Sequence, residues 1–153
     1  DSRHLHNGLT FWDSNDNERV LKPHQAKAFF FTYNKEEYYF VSCQDYLNLS
    51  KHVIKKPSTY LFLKLEVAGS MRLLSYTSMQ HVGIDFSYAT TIMLYQRTND
   101  LIFAPKLMTY KKSLVKYFED CPQVQNKIKS NFFGKGDDIE IVKTYNNFCS
   151  ERA

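Results

Sequence analysis

The sequence predicts an α+β protein: a twisted antiparallel β-sheet built from hairpins and closing partway toward a barrel, followed by a C-terminal layer of about three helices. The chain holds 12 Phe and 11 Tyr in 153 residues, and these side chains fit pleated surfaces. Apolar residues alternate before Pro105 and then recur at helical spacing. Strands first and helices last are typical of an α+β fold rather than of a βαβ repeat.

The length of 153 residues fits one domain covering residues 1–153. Hydrophobic residues make up 43% of the chain and charged residues 24%, so the chain can bury a core of ordinary size. We predict a polar N-terminal segment (1–22), a β part (23–105) and a helical part (106–149).

The N-terminal segment is predicted to be polar, with a turn cluster at Asp13–Asn17. Leu9, Phe11 and Val20 are the apolar anchors on either side of this cluster. Pro23 then interrupts any regular element.

Two hairpins follow. Ala28–Tyr33 and Tyr38–Cys43 read as strands joined across residues 34–37. Tyr60–Val67 alternates cleanly between apolar and polar residues, and Met71–Tyr76 is the predicted return strand.

The connecting stretches are predicted from their polarity. Residues 45–59 are interpreted as a loop or a short helix, and residues 78–90 as a loop around Gly83. Thr91–Gln96 and Leu101–Ala104 form a predicted third hairpin, which Pro105 ends.

The helical part reads as three amphipathic helices. The first lies within residues 110–119; Asp120 is the predicted cap of the second, and Asp137 of the third. Phe132–Gly136 is interpreted as an interhelical turn. The predicted apolar faces are made by Leu114, Val115, Phe118, Val124, Ile128, Ile139, Ile141, Val142, Tyr145, Phe148 and Cys149.

No GxSxG, Walker A, HExxH or paired CxxC motif is present. We therefore assign no catalytic, cofactor-binding or metal-binding residue and expect a protein that is not an enzyme. The alternative is a hydrolase in which Cys43 and His52 or His81 converge in space, with Asp45 or Asp85 beside them.

The remaining histidines carry no signature of a site. His4 and His6 alternate, which suits a metal in an extended segment, but a disordered tail explains them better. His24, like His52 and His81, is expected in an exposed loop.

The net charge of +4 is mildly basic. Two lysine clusters with interleaved tyrosines suit an anionic glycan or single-stranded nucleic acid, although a solvated helix face explains them as well. Nucleic acid is not the expected partner, because its binders cluster charge more strongly. The residues are Lys51, Lys55 and Lys56, then Lys106, Lys111, Lys112 and Lys116, with Tyr60, Tyr110 and Tyr117.

No apolar run approaches the roughly 18 residues of a membrane span. The chain opens with Asp1-Ser-Arg-His and shows no signal peptide, which we interpret as a leader already removed.

Cys121 and Cys149 lie at similar distances from the predicted turn between the last two helices. In an antiparallel helical hairpin their offset along the axis is about 5 Å, which allows a disulfide closing a loop of about 27 residues. The same spacing allows two buried reduced thiols. Cys43 is interpreted as a small core residue.

Three segments resemble a family of uncharacterised secreted or cell-envelope proteins of Bacteroidetes-type bacteria. Phe29–Ser42 is similar to its sheet segment ending in a Tyr-x-Val-Ser-like run. Tyr60–Tyr76 resembles its FLxxLxxGxxxLYxY hairpin. Asp120-Cys-Pro with Tyr145–Cys149 resembles its DCPxLxxKI…YNxxC ending.

Two departures accompany the resemblance. Ser75-Tyr76 stands where the family has Leu-Tyr, and its N-terminal hairpin with a GDTIxG-like turn is not matched, so we expect the chain to begin inside the domain. The resemblance implies export to the periplasm, the outer membrane or the exterior, and it brings no activity or site residues. Export favours the Cys121–Cys149 bridge, because such compartments are oxidising. The expected function is a non-catalytic envelope domain that binds a protein, a glycan or a small apolar ligand.

Overall fold

The computed structural model describes residues 2–45, 47, 49, 60–82, 86–98 and 100–150. The protein is α+β, as predicted. After a 3-10 helix (Ser2–Asn7), the strands are β1 (Leu9–Trp12), β2 (Glu18–Leu21), β3 (Ala28–Tyr33), β4 (Glu36–Gln44), β5 (Tyr60–Val67), β6 (Met71–Val82) and β7 (Phe86–Arg97). A second 3-10 helix (Leu107–Thr109) precedes α1 (Tyr110–Tyr117), α2 (Pro122–Lys129) and α3 (Asp138–Phe148).

The strands form a two-stranded sheet, β1-β2, and an antiparallel sheet of order β3-β4-β5-β6-β7. This larger sheet is open, with β3 and β7 at its ends among the described strands. The chain divides into two compact units. The first comprises Asp1–Leu65 and Ser75–Ile92, and the second comprises Glu66–Leu74 and Met93–Ala153. The expectation of one domain stays a prediction.

The β3-β4 hairpin of the first unit confirms the predicted strands. Its turn is shorter than predicted, because Asn34 and Lys35 both adopt positive φ, 51° and 67°, the geometry of a two-residue hairpin. Phe29 lies opposite Phe40, and the two rings stack with centroids 5.0 Å apart. Phe62 packs edge-on against Phe29 at 4.7 Å, so an aromatic cluster anchors this hairpin.

His6 lies in the core of the first unit, so the expectation of a disordered tail is wrong there. Its Nδ1 donates to the carbonyl of Phe62 at 2.5 Å, and its Nε2 accepts the Thr77 N–H at 3.0 Å. The ring also lies 4.6 Å from the Tyr76 ring. Both nitrogens are engaged in the neutral tautomer, and the imidazole therefore acts as a structural bridge rather than a metal ligand.

His6 predicts a pH dependence of stability. Burial lowers the pKa of His6, against the opposing effect of the Phe62 carbonyl. Because the folded pKa lies below the unfolded value, this contribution is complete above about pH 6.5 and declines as the pH falls through the folded pKa. The slope in that window reaches at most about 1.4 kcal/mol per pH unit, the value for one proton. Chemical denaturation between pH 7.5 and 4.5 measures it.

The matched control is the exposed His24. His6→Phe is expected to remove the slope between pH 6.5 and the folded pKa, whereas His24→Phe leaves it in place. A wild-type slope that survives His6→Phe would contradict this assignment.

The N-terminal segment forms a hairpin that the sequence analysis did not predict. The turn at Asp13–Asn17 is confirmed: the Asp13 carboxylate accepts the N–H groups of Asn15 and Asn17 and pairs with Arg19. β1 and β2 are mostly exposed on either side of it. Without a buried face they lack the apolar alternation that identifies a strand.

The predicted loop at residues 78–90 is wrong for residues 78–82 and 86–90, which are strand; Gly83, Ile84 and Asp85 lie outside the described residues. β6 continues to Val82 and β7 begins at Phe86. The Thr77 and Thr91 hydroxyls lie 2.9 Å apart, and this region is rich in Thr, Ser and Tyr with exposed side chains at its β7 end. Such strands form by backbone pairing and cross-strand polar contacts, which hydrophobic periodicity does not register. The predicted strand Leu101–Ala104 reduces to one bridge, Tyr95–Phe103.

In the second unit, Asn146 of α3 fastens the β5-β6 turn. Its Oδ1 accepts the Met71 N–H at 2.8 Å and the Ser70 hydroxyl at 3.0 Å. Its Nδ2 donates to the carbonyls of Met71 and Ala68 at 2.9 and 3.3 Å. Gly69 has φ 148°, and a Cβ there would lie 2.3 Å from Asn146 Nδ2. Glycine is therefore required both for the turn and for the close approach of α3.

The predicted cap of α2 is corrected. Cys121 occupies the N-cap position with Pro122 at the start of the helix, and no side chain caps it. Asp120 instead accepts hydrogen bonds from Arg97 at 2.8 Å and from the Tyr145 hydroxyl at 2.7 Å. The Asp120 carboxylate, which the local sequence predicted as the helix cap, therefore forms a tertiary ion pair instead.

α3 begins where predicted, with Asp137 at its N-cap position but without a side-chain cap bond. The Asp137 carboxylate accepts the Gly134 N–H at 2.7 Å and orders the predicted interhelical turn. Ile141 and Val142 are buried, as predicted, whereas Ile139 and Phe148 are 39% and 61% exposed. The helix buries a narrower face than its apolar residues suggested.

The Cys121–Cys149 disulfide is confirmed. Both residues lie in a buried cluster that includes Phe118, Val124 and Val142. The disulfide links the first residue before α2 to the residue after α3, so it joins the two ends of the helical hairpin.

Candidate functional site

The candidate site is a cleft of about 700 Å³ in the second unit. Its wall combines the end of β7, the extended segment after it and one face of α1. Cations and aromatic rings dominate the lining: Arg97, Lys106, Lys112, Lys116, Phe103 and Tyr117.

α1 supplies the basic wall. Lys112 and Lys116 are one helical turn apart, and Thr109 and Ser113 share the same face. Like charges at this spacing oppose helix formation by a few tenths of a kcal/mol, and the first turn carries no acidic residue in compensation. The helix therefore holds a local electrostatic cost that an anion in the cleft would relieve.

The three lysines of the cleft are exposed, and no ion pair is recorded for them among the described residues. Glu119 also lines the cleft, and it forms no ion pair with another described residue. Lys106, Lys112 and Lys116 thus leave a local excess of positive charge over a concave surface, which concentrates anions.

Tyr117 forms the aromatic wall. Phe103 stacks on its ring with centroids 4.1 Å apart and planes 7° from parallel. The Arg97 guanidinium lies 4.1 Å from the ring centroid, and two groups at that distance must occupy opposite faces. Phe103 and Tyr117 are both half-buried and both line the cleft.

Arg97 positions this wall and is already charge-paired. Its Nη2 donates to the Tyr117 carbonyl at 2.5 Å and to Asp120 at 2.8 Å, and its Nε donates to the Tyr145 hydroxyl at 3.3 Å. Burial acts to lower the pKa of Arg97, but the contacts with Tyr145, Tyr117 and Asp120 outweigh burial and raise it. Among the described residues, the cations of the cleft without an ion pair are the ammonium groups rather than this guanidinium.

The Tyr117 hydroxyl is buried and has no hydrogen-bond partner among the described residues. Burial raises the pKa of Tyr117 to about 12, against the effect of nearby Arg97. The group stays protonated at neutral pH. A residue of the cleft wall therefore carries an unsatisfied polar atom, which is unusual in a folded protein.

The lining can attract and hold an anion. Ammonium groups and the Thr109 hydroxyl attract and orient an anion, whereas the Ser113 hydroxyl already donates to the Tyr110 carbonyl at 2.9 Å. Phe103 offers an apolar ring face. The lining contains no His, Cys or Asp.

The second predicted lysine cluster is partly brought together here. Lys106, Lys112 and Lys116 line the cleft, whereas Lys111 donates to the Lys129 carbonyl and to Asn131. Of the interleaved tyrosines only Tyr117 contributes; Tyr110 bonds to the buried Asp138, and Tyr60 begins β5. Lys51, Lys55 and Lys56 lie outside the described residues.

The alternative Cys–His dyad stays a prediction. Cys43 is buried in β4 at 7% exposure, as expected of a core residue. His52 and Asp85 lie outside the described residues, and the His81 side chain is not described. His24 is exposed, as predicted.

Sequence reasoning missed Arg97 and Phe103. Arg97 was placed in a hairpin turn, and Phe103 in a short strand. A signal was present for the lysines: helical spacing separates Lys112 and Lys116, on one face, from Lys111. No comparable signal brings residues 97 and 103 to α1, because that contact depends on tertiary packing.

Within the part of the chain that the structure describes, no group of three or more His, Cys, Asp or Glu side chains is arranged to hold a metal ion. None of the described helices is long and apolar enough to cross a membrane. Comparisons with protein-family models, with curated proteins and with solved structures find no significant match to this chain.

Proposed function

We propose that this protein is a non-catalytic binding module of the bacterial cell envelope, and that it holds an acidic glycan in the cleft formed by the end of β7, residues 103–109 and α1. The observation that carries the proposal is the convergence of Lys106, Lys112 and Lys116 on a cleft with an aromatic wall. The location is periplasmic, outer-membrane-associated or extracellular.

Electrostatics support an anionic ligand. Three ammonium groups face one concave surface, and a carboxylate or sulfate there forms charge-assisted hydrogen bonds. The same ligand offsets the charge repulsion between Lys112 and Lys116. Relief of this repulsion, which is present in the unbound helix, adds to the binding free energy.

Shape and chemistry support a glycan among the anions. A volume of about 700 Å³ accepts a small oligosaccharide. The half-buried ring of Phe103 offers an apolar surface to sugar C–H groups, and Thr109 supplies a hydroxyl for sugar oxygens. The Ser113 oxygen can accept from a sugar hydroxyl while it donates to the Tyr110 carbonyl. The net charge of +4 is low for a nucleic-acid binder.

The disulfide supports a location outside the cytoplasm, because disulfides persist in oxidising compartments. The resemblance of the Asp120-Cys-Pro and Tyr145–Cys149 segments to exported envelope proteins supports the same location. Both considerations concern the compartment and are independent of the ligand.

The test is calorimetric titration with a short oligogalacturonate, an acidic glycan, at 20 and 200 mM salt. Lys112→Gln combined with Lys116→Gln is expected to weaken binding at least tenfold, about 1.4 kcal/mol. Wild-type affinity is expected to fall with salt, because the contacts are ionic and exposed.

The matched control combines Lys135→Gln with Lys143→Gln. It removes the same two charges, taking the net charge from +4 to +2, at exposed positions that do not line the cleft. Equal losses in both double variants would show a non-specific charge effect and reject the cleft. Undetectable binding of oligogalacturonate by the wild type would reject the glycan.

A further inference from the structure

The outer edge of β3 is a second surface of interest, in the first unit. β3 ends the order of the five-stranded sheet, and no described strand pairs with its outer side. Ala28, Phe30 and Thr32 alternate as exposed residues along it.

The pairing with β4 fixes which backbone groups face outward. The Ser42 N–H donates to the Lys27 carbonyl at 2.7 Å, so residues 27 and 42 are a hydrogen-bonded pair. In antiparallel pairing such pairs recur at every second residue, which makes Phe29 opposite Phe40 and Phe31 opposite Tyr38 bonded pairs as well. The N–H and C=O groups of Ala28, Phe30 and Thr32 therefore point away from β4.

This edge lacks the features with which edge strands ordinarily avoid pairing. Ala28–Tyr33 contains no charged residue, proline or glycine. Phe30 and Tyr33 are 65% and 63% exposed. A neutral, aromatic, regular edge of this kind favours addition of another strand.

We propose that this edge pairs with the same edge of a second copy of the chain, antiparallel about a twofold axis at Phe30. That register joins Ala28 to Thr32 of the second copy and Phe30 to Phe30 of the second copy. It is the symmetric register that uses every outward-facing residue of β3, and it makes one continuous sheet through both copies.

Side chains favour the second copy as the occupant. Phe30 already stacks with Tyr39 at a centroid distance of 5.5 Å. Across the axis the two Phe30 rings become direct cross-strand neighbours, an arrangement that stabilises sheets. Each chain has a net charge of +4, but β3 itself is uncharged. No like charges therefore face each other at the twofold axis.

The ends of the strand add charge complementarity. Lys27 precedes β3, while Glu36 and Glu37 follow the turn after it with Lys35. In the antiparallel dimer, Lys27 at the start of one β3 lies beside the hairpin end of the other β3. That end carries two carboxylates, Glu36 and Glu37, and one ammonium group, Lys35, so it attracts Lys27.

The test is sedimentation equilibrium of the wild type and of three variants. The wild type is expected to dimerise reversibly, and weakly, because a six-residue edge is smaller than a standard interface. Phe30→Lys places two ammonium groups opposite each other at the axis, and Thr32→Pro removes an outward N–H without touching the β4 ladder. Each is expected to raise the dimer dissociation constant more than tenfold.

Thr32→Ala is the matched control, because it keeps the N–H and is expected to dimerise like the wild type. Should Thr32→Pro prove poorly folded, Phe30→Lys carries the test, since that side chain is already exposed. Amide exchange supplies an internal control: Phe29 and Phe31 stay protected at all concentrations, whereas Ala28, Phe30 and Thr32 gain protection only as the dimer forms.

Two results would overturn the proposal. One is a wild type that remains monomeric up to about 1 mM, a concentration that detects even weak association. The other is a dimer that persists unchanged in both Phe30→Lys and Thr32→Pro, which would place the interface elsewhere.

Discussion

Replacing Cys121 and Cys149 together by alanine is expected to lower the free energy of unfolding by roughly 3 to 4 kcal/mol. The disulfide spans 28 residues of sequence, and a cross-link of that span removes this much entropy from the unfolded chain. Both cysteines are almost fully buried, at 0% and 2% exposure. Urea denaturation of the double variant, and of the wild type with and without reductant, measures the loss.

Cys43→Ala is the matched control, since it removes a buried cysteine outside the disulfide. It is expected to cost about 1 kcal/mol, the scale of one small buried group. Thiol titration of the denatured, non-reduced wild type is expected to give one thiol per chain. Three thiols, or equal losses in the single and double variants, would contradict a stabilising disulfide in the isolated protein.

Asp138→Ala is the second substitution with a large expected effect. Asp138 is 6% exposed, and its Oδ1 accepts the Tyr95 hydroxyl at 2.6 Å and the Tyr110 hydroxyl at 2.8 Å. Removing the carboxylate leaves the Tyr95 and Tyr110 hydroxyls without their hydrogen-bond acceptor. Each buried polar group that loses its hydrogen bond costs about 1 to 3 kcal/mol of folding free energy. We expect a loss of roughly 2 to 5 kcal/mol in unfolding free energy by urea denaturation.

The conservative variant separates hydrogen bonding from charge. Asp138→Asn keeps an oxygen that accepts from both tyrosines and is expected to lose about 1 kcal/mol, the charge-assisted part of two bonds. Burial and the neighbouring carboxylate raise the pKa of Tyr95 and of Tyr110, so both remain donors at neutral pH. A loss in Asp138→Asn equal to that in Asp138→Ala would show that charge, rather than acceptor geometry, is decisive.

Strands with a buried face were predictable from the sequence. β5 alternates between apolar and polar residues, and its bounds are those predicted. Phe29 and Phe31 in β3 mark a face that packs on Phe40. In β3 burial follows a period of two, so the pattern carries the structure. In β5 the alternation identified the strand, but Leu61, Phe62 and Leu63 are all buried, so both faces are covered there.

Strands held by pairing alone were not predictable. β1 and β2 are largely exposed, and the polar ends of β6 and β7 were interpreted as a loop. Backbone hydrogen bonds between strands require no particular side chain, so nothing in the local sequence reveals them.

Only part of the candidate site was predictable from the sequence, for a related reason. Helical spacing places Lys112 and Lys116 on one face of α1, which the sequence shows. The stack of Phe103, Tyr117 and Arg97 depends on contacts between residues far apart in the chain.

Asp120 shows most clearly which features follow from local sequence and which depend on tertiary structure. By itself the sequence determined the α+β class, the helical hairpin of α2 and α3, and a cysteine spacing compatible with a disulfide. Tertiary structure alone decided that Asp120 pairs with Arg97 and Tyr145 instead of capping α2. Secondary structure follows local periodicity. The Arg97 side chain is only 18% exposed, whereas that of Asp120 is 44% exposed, so it is the guanidinium whose desolvation this pair compensates, and the two residues meet only when the chain has folded.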